Sequence, residues 1–170
     1  EYYGGNATYC IIPKVSIDLG CVLPYKGDYF ANASLAEPMS CIIGAFHATY
    51  HTTPYVYEHQ MGLKDGGSVA LLGCAGPMGL GAIDYAVHGP YNSKRVVVVD
   101  IDETRLERAK LLIDPEDAAK NGVELIYVNT KDNDHAVEDL KNLNGGKGYD
   151  EAFVFAPVKP LIEMADHLLG

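Results

Sequence analysis

From residue 68 to the end, short apolar runs alternate with stretches of helical period, and this alternation restricts the fold more than any other feature of the chain. Apolar or mixed runs at 68–73, 95–100, 123–128 and 151–156 read as strands, and 78–87, 103–113, 134–143 and 160–169 read as helices. The runs Val69-Ala70-Leu71-Leu72 and Val96-Val97-Val98-Val99 are apolar at every position rather than every second one. Strands of that kind are covered on both faces, so the expected class is α/β, a doubly wound parallel sheet with helices on either side. On the helix at 78–87, Gly79, Ala82, Ile83 and Ala86 share one face, which marks the side packed on the sheet.

The first 35 residues have a different character. They are rich in Gly, Pro and Tyr, with brief apolar runs such as Tyr9-Cys10-Ile11-Ile12 and no sustained period, and they read as strands and loops. After Ala36-Glu37-Pro38, Met39, Ile42, Ile43 and Phe46 recur at helical spacing, which predicts a helix over 38–50. A short second helix is expected before the Asp65-Gly66-Gly67 turn.

Charge and cysteine usage exclude several functions. The 13 Lys and Arg stand against 23 Asp and Glu, a formal charge of −10 that repels a phosphate backbone, so no nucleic-acid partner is expected. No apolar run reaches the roughly 18 residues of a membrane span. Cys10, Cys21, Cys41 and Cys74 are scattered without a C-x-x-C pair, and no leader pattern is visible, which points to the cytoplasm. The glycosylation-type triplets at Asn6 and Asn32 therefore carry no weight. The chain opens at Glu1, and the expectation is a piece of a longer protein.

The junction Gly73-Cys74-Ala75-Gly76-Pro77-Met78-Gly79 lies between an expected strand and an expected helix. Glycine there lets backbone approach a pyrophosphate, and the helix N-terminus offers it unpaired N–H groups. The fit to G-x-G-x-x-G is partial: Gly76 and Gly79 supply the second and third positions, while Cys74 stands at the first, with Gly73 displaced by one. The pattern alone predicts that Cys74→Gly is tolerated. Asp100 ends the next strand about 20 residues further on, where a dinucleotide fold places the carboxylate that binds ribose hydroxyls. That carboxylate repels a 2′-phosphate, which favours NAD over NADP. Arg105, one helical turn beyond, either lies along the ribose or pairs with Asp102 or Glu103.

Together with Gly4-Gly5-Asn6-Ala7-Thr8-Tyr9, Pro13 and Leu35-Ala36-Glu37-Pro38-Met39-Ser40-Cys41, these motifs make nearly the whole chain resemble the medium-chain dehydrogenase/reductase family, the zinc alcohol and polyol dehydrogenases. Its sugar-phosphate branch, the L-sorbose 1-phosphate reductases and related dehydrogenases, is the most similar. The resemblance implies that 1–36 is a remnant of a β-rich, GroES-like catalytic domain and that 37–170 is an NAD-binding Rossmann domain lacking its last strand, with 51–63 an insertion. It further implies an NAD-dependent, zinc-assisted oxidoreductase acting on a secondary alcohol of a polyol or sugar phosphate. Gly76, Pro77, Met78, Gly79, Asp100 and Arg105 would bind cofactor, and Glu37 would stand at a metal position, as a zinc ligand or as a partner of the zinc-bound water. A helix N-terminal carboxylate is the alternative for Glu37.

The remaining zinc ligands and the catalytic residues are not identified in these residues, so the fragment alone is expected to be inactive, and the full-length protein to be a homo-oligomer. His47 and His51, four apart on an expected helix, read as ordinary hydrogen-bonded histidines. Cys41 and Cys74 read as small core hydrophobes, and Tyr2, Tyr25 and Tyr55 as surface aromatics. No local cluster of Lys and Arg marks a phosphate site. Two other functions share the glycine-loop and acidic-strand pattern: an S-adenosylmethionine-dependent methyltransferase and a non-catalytic nucleotide-sensing module.

Overall fold

A computed structural model describes residues 8–170, which divide into two compact units, one reaching to Ala36 and the other Glu37–Gly170. The motif residues Gly4 to Ala7, and with them Asn6 and Ala7 of the triplet, and Tyr2 lie outside the described residues.

In the first unit, helices α1 (Lys14–Asp18) and α2 (Phe30–Ala33) are the only regular elements among the described residues. Among the described residues the strands expected there are not formed. Lys14 and Asp18 meet across one helical turn at 2.6 Å, a spacing only a helix provides. Among the described residues the apolar run at 9–12 has no partner strand, and Ile11 stays exposed.

The second unit opens within the first turn of α3 (Ala36–Ala48), which buries Ile42 and Phe46. In place of a second helix, β1 (Tyr50–Thr52) and β2 (His59–Met61) form an antiparallel hairpin. Tyr50 and Thr52 supply β-favouring residues to β1, while Pro54 and Tyr55, with its φ of 69°, turn the chain. His47 ends up on α3 and His51 on β1, so they do not share a helix face.

Then follow β3 (Ser68–Leu72), α4 (Pro77–His88), β4 (Arg95–Asp100), α5 (Glu103–Leu112), α6 (Pro115–Lys120), β5 (Glu124–Asn129), α7 (Ala136–Leu143), β6 (Glu151–Val154) and α8 (Lys159–Leu168). The helix α6 was not anticipated from the apolar pattern. Its signal is polar: Asp114 caps it by accepting from the Glu116 N–H at 3.0 Å, and Pro115 occupies its first turn.

The four strands β3 to β6 are parallel in the order β5-β4-β3-β6, with Val69 opposite both Val96 and Glu151. Side chains of one face (Val69, Leu71, Val96, Val98) pack with α3, α4, α5 and α6 through Phe46, Ile83, Leu106 and Ala118. The opposite face (Ala70, Leu72, Val97, Val99) packs with α7 and α8 through Leu140 and Leu168. Two buried faces explain why β3 and β4 are apolar throughout, and the doubly wound α/β fold follows. No helix among the described residues is long and apolar enough to cross a membrane.

Candidate functional site

The chain starts the sheet in its middle at β3, runs outward through β4 and β5, then returns to place β6 on the other side of β3. Where the strand order reverses, loops leave in opposite directions and a crevice opens beyond the carboxyl ends, the usual ligand position in open parallel sheets. A cleft of about 430 Å3 lies there, lined by Gly73 after β3, Asp100 at the end of β4, Thr130 after β5, Val158 after β6 and Leu161 and Met164 of α8.

The glycine loop joins β3 to α4 beside this cleft. Its turn is made by Gly73, at φ +65°. The displaced glycine of the motif thus performs the tight turn, and Cys74 need not be glycine. Cys74 is buried instead, donating its Sγ–H to the Gly79 carbonyl at 3.3 Å, and burial pushes its thiol well above the ordinary value. The core role expected of it is found, and Cys74→Gly would empty a filled site. Gly79 is required by packing, because a Cβ there would sit 1.8 Å from the Cys74 carbonyl oxygen.

Gly76 differs. It caps α4 with extended backbone (φ −87°, ψ 179°), no side chain caps the first turn, and a Cβ would meet nothing within 4 Å. Pro77 at the start of the helix and Met78 are exposed. The fold therefore needs glycine at 79 but not at 76, where it leaves open space in front of a twelve-residue helix's N-terminus.

Asp100 is buried and its carboxylate is already engaged. Oδ2 accepts from the Ala75 N–H at 2.9 Å, and Oδ1 from the N–H groups of Ile101 at 2.8 Å and Asp102 at 3.1 Å. It ties the glycine loop to the β4 loop, a role the spacing argument did not reveal. Three acceptances leave one lone-pair direction of four for a ligand. Arg105 lines the cleft and lies 3.4 Å from Asp102, the ion pair that was one of its two alternatives. A second hollow on the outer side of Asp100 joins Asp102, Glu103, Arg105 and Lys131, where three carboxylates, Asp100 included, outnumber two cations.

Glu37 lies apart from this cleft, exposed in the first turn of α3. Its carboxylate accepts from the Cys41 Sγ–H at 3.2 Å and raises that thiol's pKa. Cys41 is exposed, contrary to the core placement expected, because α3 turns Ile42 and Phe46 inward. A zinc ion takes at least three protein ligands. No three His, Cys, Asp or Glu gather suitably among the described residues, so by themselves they do not fit a zinc centre.

The cleft and loop define the class: a doubly wound parallel α/β domain with an open ligand crevice at its topological switch point. No family model matches the chain. Over 170 residues it is 64% identical to mannitol-1-phosphate 5-dehydrogenase of Aliivibrio fischeri and 62% identical to the uncharacterized protein YggP of Escherichia coli. It is 40% identical to L-sorbose 1-phosphate reductase of Klebsiella pneumoniae. These matches cover 99–100% of the chain and 40% of each relative, so the chain spans about two fifths of their length. The chain is therefore homologous to a segment of named sugar-phosphate dehydrogenases and reductases, the relationship its motifs implied. Among solved structures, the apo form of zinc dependent alcohol dehydrogenase 2 from Streptococcus pneumonia is 28% identical with a TM-score of 0.49, over 63% of this chain and 27% of that one.

Proposed function

We propose that this chain is the dinucleotide-binding part of an oxidoreductase that interconverts a secondary alcohol and a ketone on a polyol or sugar phosphate, with NAD as cofactor. The observation that carries the proposal is Gly76: open space and an uncapped helix N-terminus stand together where the fold itself has no need of glycine. The relatives' names, a dehydrogenase and a reductase of hexose-derived phosphates, supply the substrate class.

Each residue has a chemical task in this reading. The free first-turn N–H groups of Met78 and Gly79 on α4 donate to the pyrophosphate, aided by the helix dipole, while Pro77, which has no N–H, fixes the start of the helix. Gly76 keeps the approach clear. The remaining acceptor site of Asp100 takes a ribose hydroxyl, and its charge discriminates against a 2′-phosphate. Arg105 flanks the ribose from the cleft wall, held by Asp102. Ile101, Val158 and Met164 offer apolar surface on which an adenine excludes water. When bound, a nicotinamide dinucleotide supplies the acceptor or donor of a hydride. Within a longer chain, Glu37 is assigned as one carboxylate of a zinc centre, and no step among the described residues depends on it.

The test is turnover by the full-length protein, read as NADH formation from NAD with the alcohol mannitol 1-phosphate and as NADH consumption with the ketone L-sorbose 1-phosphate. Turnover with NAD supports the reading. Binding of S-adenosylmethionine with no response to NAD defeats it.

A further inference from the structure

At the amino ends of the same strands, opposite the glycine loop, lies a groove of about 630 Å3. Lys64, Lys94, Arg95 and Lys147 converge on it from three separate segments. They are far apart in sequence, which is why no basic cluster is visible there. Such a gathering runs against a chain of net charge −10.

Two of the cations are fixed and two are unengaged. Arg95 donates to Glu124 Oε2 at 2.6 and 2.9 Å, to the Leu143 carbonyl at 2.6 Å and to Asn144 Oδ1 at 3.1 Å. Lys64 Nζ donates to Asp150 Oδ1 at 2.5 Å. Burial raises the Asp150 carboxyl's pKa, but Lys64 and the Ser68 donors outweigh it and hold it below its ordinary value, so it stays ionised. Lys94 and Lys147 are exposed and make no ion pair among the described residues. Four cations thus stand against three carboxylates, Asp150 and Glu124 in ion pairs and Glu151 against the Lys64 backbone, an excess of one positive charge with both unpaired lysines on the groove. The rims are bare, since a Cβ on Gly66 or Gly145 would meet nothing within 4 Å.

We infer that this groove binds a phosphate dianion, at a site separate from the dinucleotide cleft by the length of the sheet, about 17 Å for five strand residues. The lysine ammonium groups act as point charges on the phosphate, and the Arg95–Asn144–Ser68 hydrogen bonds hold the floor rigid beneath it. The ligand is inorganic phosphate or the phosphate group of a sugar phosphate. Nothing at this end of the sheet requires the cofactor reading to be correct.

Amide chemical shifts recorded while titrating inorganic phosphate, mannitol 1-phosphate and uncharged mannitol test the proposal, because they locate binding as well as measure it. Saturable shifts are expected at the amides of Lys94 and 145–148 with both phosphates and none with mannitol. The Lys94→Gln/Lys147→Gln double variant, altered only at exposed side chains, should bind at least about tenfold more weakly. Tighter binding of mannitol 1-phosphate than of inorganic phosphate assigns the site to a sugar phosphate, and equal binding assigns it to the free ion. Shifts confined to 76–79, no saturation at tens of millimolar phosphate, or equal affinity in the double variant would overturn the site. Failure to bind NAD leaves this result unchanged, so the two claims are separable.

Discussion

The Asp100 carboxylate accepts the Ala75 N–H at 2.9 Å, joining the end of β4 to the glycine loop before any ligand is present. Asp100→Asn keeps the shape but turns an amide N–H toward a backbone N–H if its oxygen retains the Ile101 and Asp102 bonds. Losing that charge-assisted contact costs about 1.5–3 kcal/mol. A lower melting temperature without cofactor, together with weaker NAD binding, is expected. Unchanged stability would show that the loop does not rely on Asp100.

The Gly79–Cys74 contact orders a second set of effects. Gly79→Ala drives a Cβ into the Cys74 carbonyl, so backbone must move, at about 3 kcal/mol. Cys74→Gly removes a buried side chain and frees the backbone, at about 2 kcal/mol. Denaturant titration checks both, and a Cys74→Gly variant as stable as the parent contradicts this packing.

Much of the second unit was legible because β3, β4 and α4 are specified by local apolar pattern alone. The glycine loop was legible too, but the roles of its members were not: that Gly73 turns the chain and Gly79 touches Cys74 depends on φ and on backbone proximity. The hairpin at 50–61 was misread because Tyr and His carry no clear period. The cleft wall on α8 and the basic groove were invisible for another reason, being made by residues brought together only when the strands align.

Glu151 opens the β6 edge strand, buried at 5% exposure, with Oε1 accepting the Lys64 N–H at 2.7 Å and Oε2 without a partner. Burial, reinforced by Asp150, raises its pKa, against the lowering effects of the Lys64 N–H, His51 and the Lys64 charge. A raised carboxyl pKa means that folding favours the protonated form. Its cost to stability is absent below the unfolded value, near 4.3, and grows as pH rises through the folded value. Glu151→Gln should therefore raise stability at neutral pH and leave it unchanged at pH 3. Thermal melts at the two pH values compare them, and a destabilised variant at neutral pH contradicts the assignment.

The central claim concerns Gly76. Aspartate is a favoured helix N-cap, and a Cβ at this position meets nothing, so Gly76→Asp should keep or raise the melting temperature while setting a negative charge where the pyrophosphate is received. Calorimetric titration of NAD into the parent chain and into Gly76→Asp is the most direct measurement. The account predicts saturable NAD binding to the parent, weaker binding of NADP, and a loss of at least about a hundredfold in the equally stable variant. NAD binding of equal strength in both chains, or none in the folded parent, would contradict it.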